Sequence, residues 1–186
     1  MRRILFLIGI LLSISQFLTA QEVGKFEFEV AGGGVYPFHF NDHYAYNGFQ
    51  TLLEARYNVN SKVDLGLAFE RSVNYHDDTF DSVLYTLQAF NFMACADYNW
   101  RNGKGYNVFA GTEIGLTQYM NGSHYYAAGA EDGRSSNILT PCIAPRFGVE
   151  LLDVLRVTFK TEMPFSRVRY FYSTITIGLV FGGKSK

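Results

Sequence analysis

Near-unbroken alternation of apolar and polar residues, an aromatic excess, and connections that alternate short and long predict an all-β chain of eight antiparallel strands in up-and-down order. Of the 186 residues, 48% are hydrophobic, 17% aromatic and 18% charged, with 17 Phe and 13 Tyr beside a single Trp. That length holds one domain. The 18 Gly and only 4 Pro suit strands and turns better than packed helices. A formal net charge of -1 leaves no basic face for nucleic acid. The two cysteines are too few for a disulfide scaffold.

The compartment is written in the first twenty residues. Arg2 and Arg3 precede an apolar run over residues 4–12, and a more polar stretch leads to Ala20. This is the pattern of a secretory signal peptide cleaved after Ala20, too short for a comfortable membrane-spanning helix. The expected organisation is therefore a leader, residues 1–20, and one mature domain, residues 21–186. No cysteine stands just after the site to carry a lipid. Beyond it no apolar run approaches ~18 residues, so the mature chain crosses a membrane with strands or not at all.

The strands follow in order. Phe26-Glu27-Phe28-Glu29-Val30 opens with strict alternation, the period of a strand with two unlike faces. Residues 49–59 set Phe49, Leu53, Ala55 and Tyr57 against Gln50, Glu54, Arg56 and Asn58. In the third, Val63, Leu65, Leu67 and Phe69 alternate with Asp64, Gly66, Ala68 and Glu70. Residues 83–99 carry Phe90, Phe92, Ala94 and Tyr98 opposite Asn91, Cys95, Asp97 and Asn99. Earlier in that segment Tyr85, Leu87 and Ala89 fall on the other phase, which suggests a bulge near Gln88.

The fifth strand, residues 106–119, places Val108, Ala110, Ile114 and Leu116 opposite Asn107, Gly111, Glu113 and Thr117. The sixth, residues 138–151, places Leu139, Ile143, Phe147 and Val149 opposite Thr140, Arg146, Gly148 and Glu150. Its Pro141 and Pro145 fall on the apolar face, and each removes a ladder donor. Residues 156–163 pair Val157, Phe159 and Met163 with Arg156, Thr158, Lys160 and Glu162. The last, residues 170–181, sets Phe171, Ile175, Ile177, Leu179 and Phe181 against Thr174, Thr176 and Gly178.

Connections at 58–61, 100–105 and 152–155 are short, whereas those at 37–48, 74–82, 120–137 and 164–169 are mostly longer, polar or aromatic. A meander whose long loops all leave one end is what a membrane-spanning barrel shows. One face of nearly every strand is large and apolar; the other mixes Gly, Ala and Thr with charge. Small residues beside charges suit the interior of an eight-stranded barrel, which is only wide enough to be filled by side chains. The expected architecture is thus an inside-out, transmembrane β-barrel with lipid on its apolar face. Its interior charge network would comprise Glu27, Glu29, Glu54, Arg56, Asp64, Glu70, Glu113, Arg146, Glu150 and Lys160, with Asp97 and Glu162 on the same face. Acids and bases together there allow mutual neutralisation. Two aromatic girdles are expected at the interfaces. Tyr57, Tyr98, Trp100 and Tyr106 would form the short-turn girdle; Tyr36, Phe49, Tyr75, Tyr119, Tyr170 and Phe171 would form the other.

Leader, strand number and loop asymmetry together resemble the small outer-membrane β-barrels of the OmpX and OmpA-barrel type. The closing stretch, residues 173–181, is similar to the C-terminal signal that such proteins present to the barrel-assembly machinery, with Gly178, Leu179 and Phe181 as its elements. Here Gly182 to Lys186 follow the aromatic instead of leaving it last. The resemblance implies an integral protein of the Gram-negative cell envelope with a structural or surface-interaction role. Its partners would be outer-membrane lipid, lipopolysaccharide and an envelope or surface protein. No peptidoglycan-binding domain is expected after the barrel.

The long loops supply candidate contacts: Tyr125 and Tyr126 in the third, and Arg167 and Arg169 in the last, where guanidinium groups suit lipopolysaccharide phosphates. A Ser/His/acid set, as in lipid A-modifying barrels, could be drawn from His39, Asp42, His43, His76, Asp77, Asp78, Asp81, Ser82, Ser123 and His124. No string among them matches a catalytic motif, and no enzyme, cofactor or metal site is expected. His39 and His43 would share a face only on a helix. Gly32-Gly33-Gly34 lacks the following helix of a phosphate cradle. Cys95 and Cys142, on non-adjacent strands, are expected to stay thiols. A secreted lipocalin-like carrier is the soluble alternative; it needs an apolar cup, which this pattern does not supply.

Overall fold

The computed structural model describes residues 24–38, 47–78, 83–101, 105–125, 136–165 and 171–182. The leader, Tyr126, Arg167, Arg169, Tyr170, His39, Asp42, His43, Asp81 and Ser82 lie outside these residues. Eight strands follow in chain order: β1 (Phe26–Phe38), β2 (Gly48–Asn58), β3 (Val63–Asp78), β4 (Val83–Arg101), β5 (Tyr106–Tyr125), β6 (Ser136–Leu151), β7 (Leu155–Pro164) and β8 (Phe171–Gly182). Each pairs antiparallel with the next and β8 returns to β1, so the sheet closes with no free edge.

The register fixes the barrel's width. From Lys160 one row of partners runs through Arg146, Gly111, Asp97 and Asp64 to Asn58. The opposite way round, it runs through Thr174 and Val35 to Gly48, ten residues from Asn58 on the same strand. That shear tilts the strands by about 40° and leaves a lumen that side chains can fill.

Period two then sorts every residue between lumen and wall. Leu67, Phe92, Ile114 and Leu139 are 60–69% exposed, whereas Glu54, Arg56, Asp97 and Arg146 are at most 3% exposed. In water, an outward face of large apolar side chains and a buried set of ions would both be unfavourable. Lipid is the solvent for which the arrangement is stable. From Phe26 to Tyr36 the wall of β1 spans ten residues, about 25 Å along the axis at this tilt, which matches an outer-membrane hydrocarbon layer.

The strand pattern holds with two corrections. There is no bulge at Gln88: β4 pairs with β3 from Tyr98 to Val83 and with β5 from Arg101 to Val83 without a break. Leu87, Ala89, Asn91, Met93, Cys95 and Asp97 all point inward. The apparent change of phase is a change in lumen chemistry, from ionic to apolar. The second concerns the loops at 74–82 and 120–137, whose described residues are strand. β3 reaches Asp78, β4 starts at Val83 and β5 reaches Tyr125, so Tyr125 is paired with Val83 on a ladder. His76, Asp77, Asp78, Ser123 and His124 likewise belong to strands. Tyr75, Val83 and Tyr85 favour extended backbone, and the hairpins continue above the apolar band.

Prolines mark local gaps. β6 and β7 pair from Leu151↔Leu155 to Arg146↔Lys160 and again at Ile143↔Met163, but not across Pro145, which has no N–H to donate. At the other end the turns are tight. Asn60 Oδ1 accepts the N–H groups of Lys62 at 2.8 Å and Val63 at 2.9 Å, closing the β2–β3 turn. Leu152 and Asp153, at φ 53° and 52°, lie in the three-residue β6–β7 turn, where the Val154 N–H donates to the Leu151 carbonyl at 3.1 Å.

Candidate functional site

The lumen is the site, and its turn-side half is a network of charge. Nine carboxylates point inward among the described residues: Glu27, Glu29, Glu54, Asp64, Glu70, Asp97, Glu113, Glu150 and Glu162. Four cations meet them, Arg56, Arg146, Arg156 and Lys160. With so few cations, each must serve several acids, and the geometry shows this. Arg146, on β6, binds Asp97 through Nε at 2.8 Å and Nη2 at 2.8 Å. The same guanidinium reaches Glu54 and Glu113 through Nη1, each at 2.6 Å. One side chain thereby ties β2, β4, β5 and β6 together.

Arg56 holds Glu29 at 2.9 Å and lies 3.4 Å from Glu27 and 3.5 Å from Glu54. Arg156 binds Asp97 at 2.5 Å and lies 3.5 Å from both Glu29 and Glu150. Its guanidinium also sits 3.4 Å above the ring centroid of Phe109, which is fully buried. A planar cation can stack on an aromatic face while its edge serves carboxylates. Lys160 donates to Glu70, to Glu113 at 3.1 Å, and pairs with Glu162 at 3.2 Å.

Amides serve acids that the cations leave underused. Asn91 donates to both Glu70 and Glu162 at 2.9 Å, Asn58 to Glu27 at 3.1 Å, and Asn99 to Asp64 at 2.6 Å. Asn107 then donates to Asn99 at 2.8 Å. Space comes from glycine. A Cβ on Gly111 would lie 2.1 Å from Asp97 Oδ1, and one on Gly178 would lie 2.5 Å from Glu29 Oε1. Gly178, read in the sequence as part of the closing signal, thus also makes room for a network carboxylate. Of its companions on β8, Leu179 faces the wall and Phe181 is half-buried there.

The loop-side half of the lumen is different. Val35, Leu87, Ala89, Tyr119 and Tyr172 form one buried cluster, with Ile138 packed against it. The rings of Tyr119 and Tyr172 stack with centroids 6.1 Å apart. Tyr119 is therefore a lumen residue and not a girdle residue, because it shares the phase of Glu113 and Thr117. Gln50 and Asn74 are fully buried beneath this end, and neither amide has a hydrogen-bond partner among the described residues. Beside the ionic network Ala31, Leu52, Ala68, Met93, Cys142 and Ala144 make a second, small apolar cluster. Cys95 and Cys142 are both buried free thiols.

The pattern of alternation places the sequence-derived acids and bases in one connected cluster. Arg156 was not among the residues singled out, although it alternates in phase with Lys160; its ring partner Phe109 carried no signal, being a large apolar residue on the small, polar face. The outer girdle at the turn end holds Tyr57, Tyr98, Trp100 and Tyr106, all exposed, and the loop end exposes Tyr36 and Phe49. Among the described residues no group of His, Cys, Asp and Glu has the geometry to hold a metal ion. The ionic lumen also lacks the apolar cup of a lipocalin.

The arrangement is that of an eight-stranded outer-membrane barrel. In fold it is similar to Neisserial surface protein A, at 13% sequence identity over 85% of this chain and 98% of that one, with a TM-score of 0.63. It is also similar to Ail, the attachment invasion locus protein of Yersinia pestis, at 11% identity over 87% of this chain and 99% of that one, TM-score 0.59. A second structure of Ail, similar at 12% identity over 87% and 99% of the two chains with a TM-score of 0.57, holds the heparin analogue sucrose octasulfate. No protein-family model and no curated protein matches the sequence.

Proposed function

We propose that this chain is a closed integral barrel of the outer membrane that serves as a structural and surface-contact protein. Its leader, residues 1–20, directs export, and its closing strand, with Gly178, Leu179 and Phe181, engages the assembly machinery. The observation that carries the reading is the ion-paired lumen inside an apolar wall. The four cations are paired with acids from seven of the eight strands, a cross-linked filling that would leave no water-filled path for a solute. What remains for function is the rim. Tyr125, Tyr126, Arg167 and Arg169 at the loop end would meet lipopolysaccharide phosphates or a protein of the envelope or host surface. The sulfated sugar held by Ail is a precedent for an anionic ligand on this fold.

The test is expression with the native leader in a Gram-negative host. The protein should fractionate with the outer membrane, migrate faster on a gel before boiling than after, and give no steady conductance in planar bilayers. Recovery in the soluble periplasmic fraction would overturn the membrane reading, and steady conductance would overturn the closed lumen.

A further inference from the structure

Beside the β2–β3 turn the outer wall carries a groove of about 670 Å³, lined by Ser61, Lys62, Tyr98, Trp100, Tyr106 and Val108. We propose that this groove binds a glycerophospholipid, its phosphate at Lys62 and its acyl chains along the wall below Tyr98 and Val108. The site rests on the membrane reading above, since only in a bilayer is lipid the solvent of this wall.

The argument begins with position. Trp100 pairs with Val108 and Tyr98 with Ala110 at the turn end, where the apolar band meets the interface. Tyr98, Trp100 and Tyr106 are 39%, 54% and 40% exposed, and the first two rings meet edge-on at 4.9 Å between centroids. Amphipathic rings at this level belong with glycerol and headgroup, and not with acyl-chain ends. Charge comes from Lys62, whose backbone is held on both sides. Asn60 Oδ1 accepts its N–H at 2.8 Å, and its carbonyl accepts the Asn99 N–H at 2.7 Å. A pinned backbone holds the root of an exposed ammonium beside the aromatic wall, as a phosphate partner should be held. The Ser61 hydroxyl can add a second donor. Below the groove Val108, Ala96, Ala110 and Ile114 continue the wall with apolar side chains.

An occupant must therefore join an anionic head to an apolar tail. With the turns on the periplasmic side, this rim lies in the leaflet built from phospholipid; the other rim, where exposed Arg71 of β3 sits 5.7 Å over the ring of Phe90, lies in the leaflet of lipopolysaccharide. That separates two lipids with similar phosphate chemistry.

Trp100 is the only tryptophan of the chain, so its fluorescence reports this groove alone. The full chain, folded in detergent micelles and checked by its heat-dependent gel shift, is titrated with brominated phosphatidylglycerol. Saturable quenching is expected, with half-saturation about tenfold higher for Lys62→Glu and unchanged for Arg71→Glu at the other rim. In asymmetric vesicles that carry lipopolysaccharide in the loop-side leaflet, saturable quenching by brominated phosphatidylglycerol in the turn-side leaflet should persist. Quenching that rises without saturation and is the same in wild type and Lys62→Glu would overturn the site, as would its loss in those vesicles. Absence of the gel shift would instead refute the membrane reading, and the groove would fall with it.

Discussion

The two halves of the lumen solve one problem in opposite ways. Toward the turns, Glu29, Glu54, Asp97 and Glu113 are buried with Arg56, Arg146, Arg156 and Lys160, and every cation is shared. Toward the loops, Val35, Leu87, Tyr119 and Tyr172 fill the same cross-section by packing, while the amides of Gln50 and Asn74 go without partners among the described residues. Ionic filling is directional: it fixes which strands face one another, but it fails badly when one member is lost. Apolar filling tolerates loss in proportion to the volume removed. The comparison implies that the turn half specifies the closure and register of the barrel, while the loop half seals it.

Arg146→Met breaks the first half most severely. The substitution takes from Glu54, Asp97 and Glu113 the cation they share, whose hydrogen bonds their oxygens accepted at 2.6–2.9 Å, and leaves each with one more distant or already shared partner. Losing one partner of a buried ion network costs about 3–5 kcal/mol. The expected outcome is a large fall in the urea midpoint of the heat-shifted band. Adding Glu54→Gln and Asp97→Asn to the same chain should recover part of it. A single variant with the wild-type midpoint would show that the network is not what holds the turn half.

In the loop half, Leu87→Ala removes most of one buried side chain from the cluster of Val35, Ala89, Tyr119 and Tyr172. A loss of about 2–3 kcal/mol is expected, smaller than for Arg146→Met because neighbours can collapse into the space. The same midpoint measurement checks the order of the two. A Leu87→Ala variant less stable than Arg146→Met would reverse the comparison.

How much of this was legible in the sequence follows the same division. Where large apolar residues alternate with small and charged ones, as from Phe26 to Val30 or from Val63 to Glu70, composition names both the period and the face. The turn half could therefore be read residue by residue. In the loop half both faces become apolar or both become polar. Leu87 and Tyr119 point inward only because the ladder from Asp97 and Glu113 carries their phase upward. A local reading sees a bulge or a girdle there. The hairpin ends, such as residues 120–125, have polar residues on both phases, and period two says nothing about where pairing stops. Arg156 shares the phase of Lys160 and was legible by period alone; what the sequence hides is its stacking on Phe109, since a stacked ring leaves no mark at any sequence spacing.

The last test makes the same chemical change in each half and asks for opposite signs. Asn91→Leu, in the turn half, removes the donor shared by Glu70 and Glu162, each at 2.9 Å. Hydrogen bonds to charged groups contribute about 1.5–3 kcal/mol, so a loss of that order is expected. Gln50→Met, in the loop half, replaces an amide that is fully buried and has no partner among the described residues. The two side chains are close in volume, so packing changes little. The wild-type protein carries the desolvation of an unsatisfied amide, about 1–2 kcal/mol on mutational scales, and the variant does not. Gln50→Met should therefore raise the urea midpoint, or at least leave it unchanged, while Asn91→Leu lowers it. If Gln50→Met instead lowers the midpoint as far as Asn91→Leu does, the amide of Gln50 has a partner in the membrane. The loop half would then be a polar site and not a neutral seal.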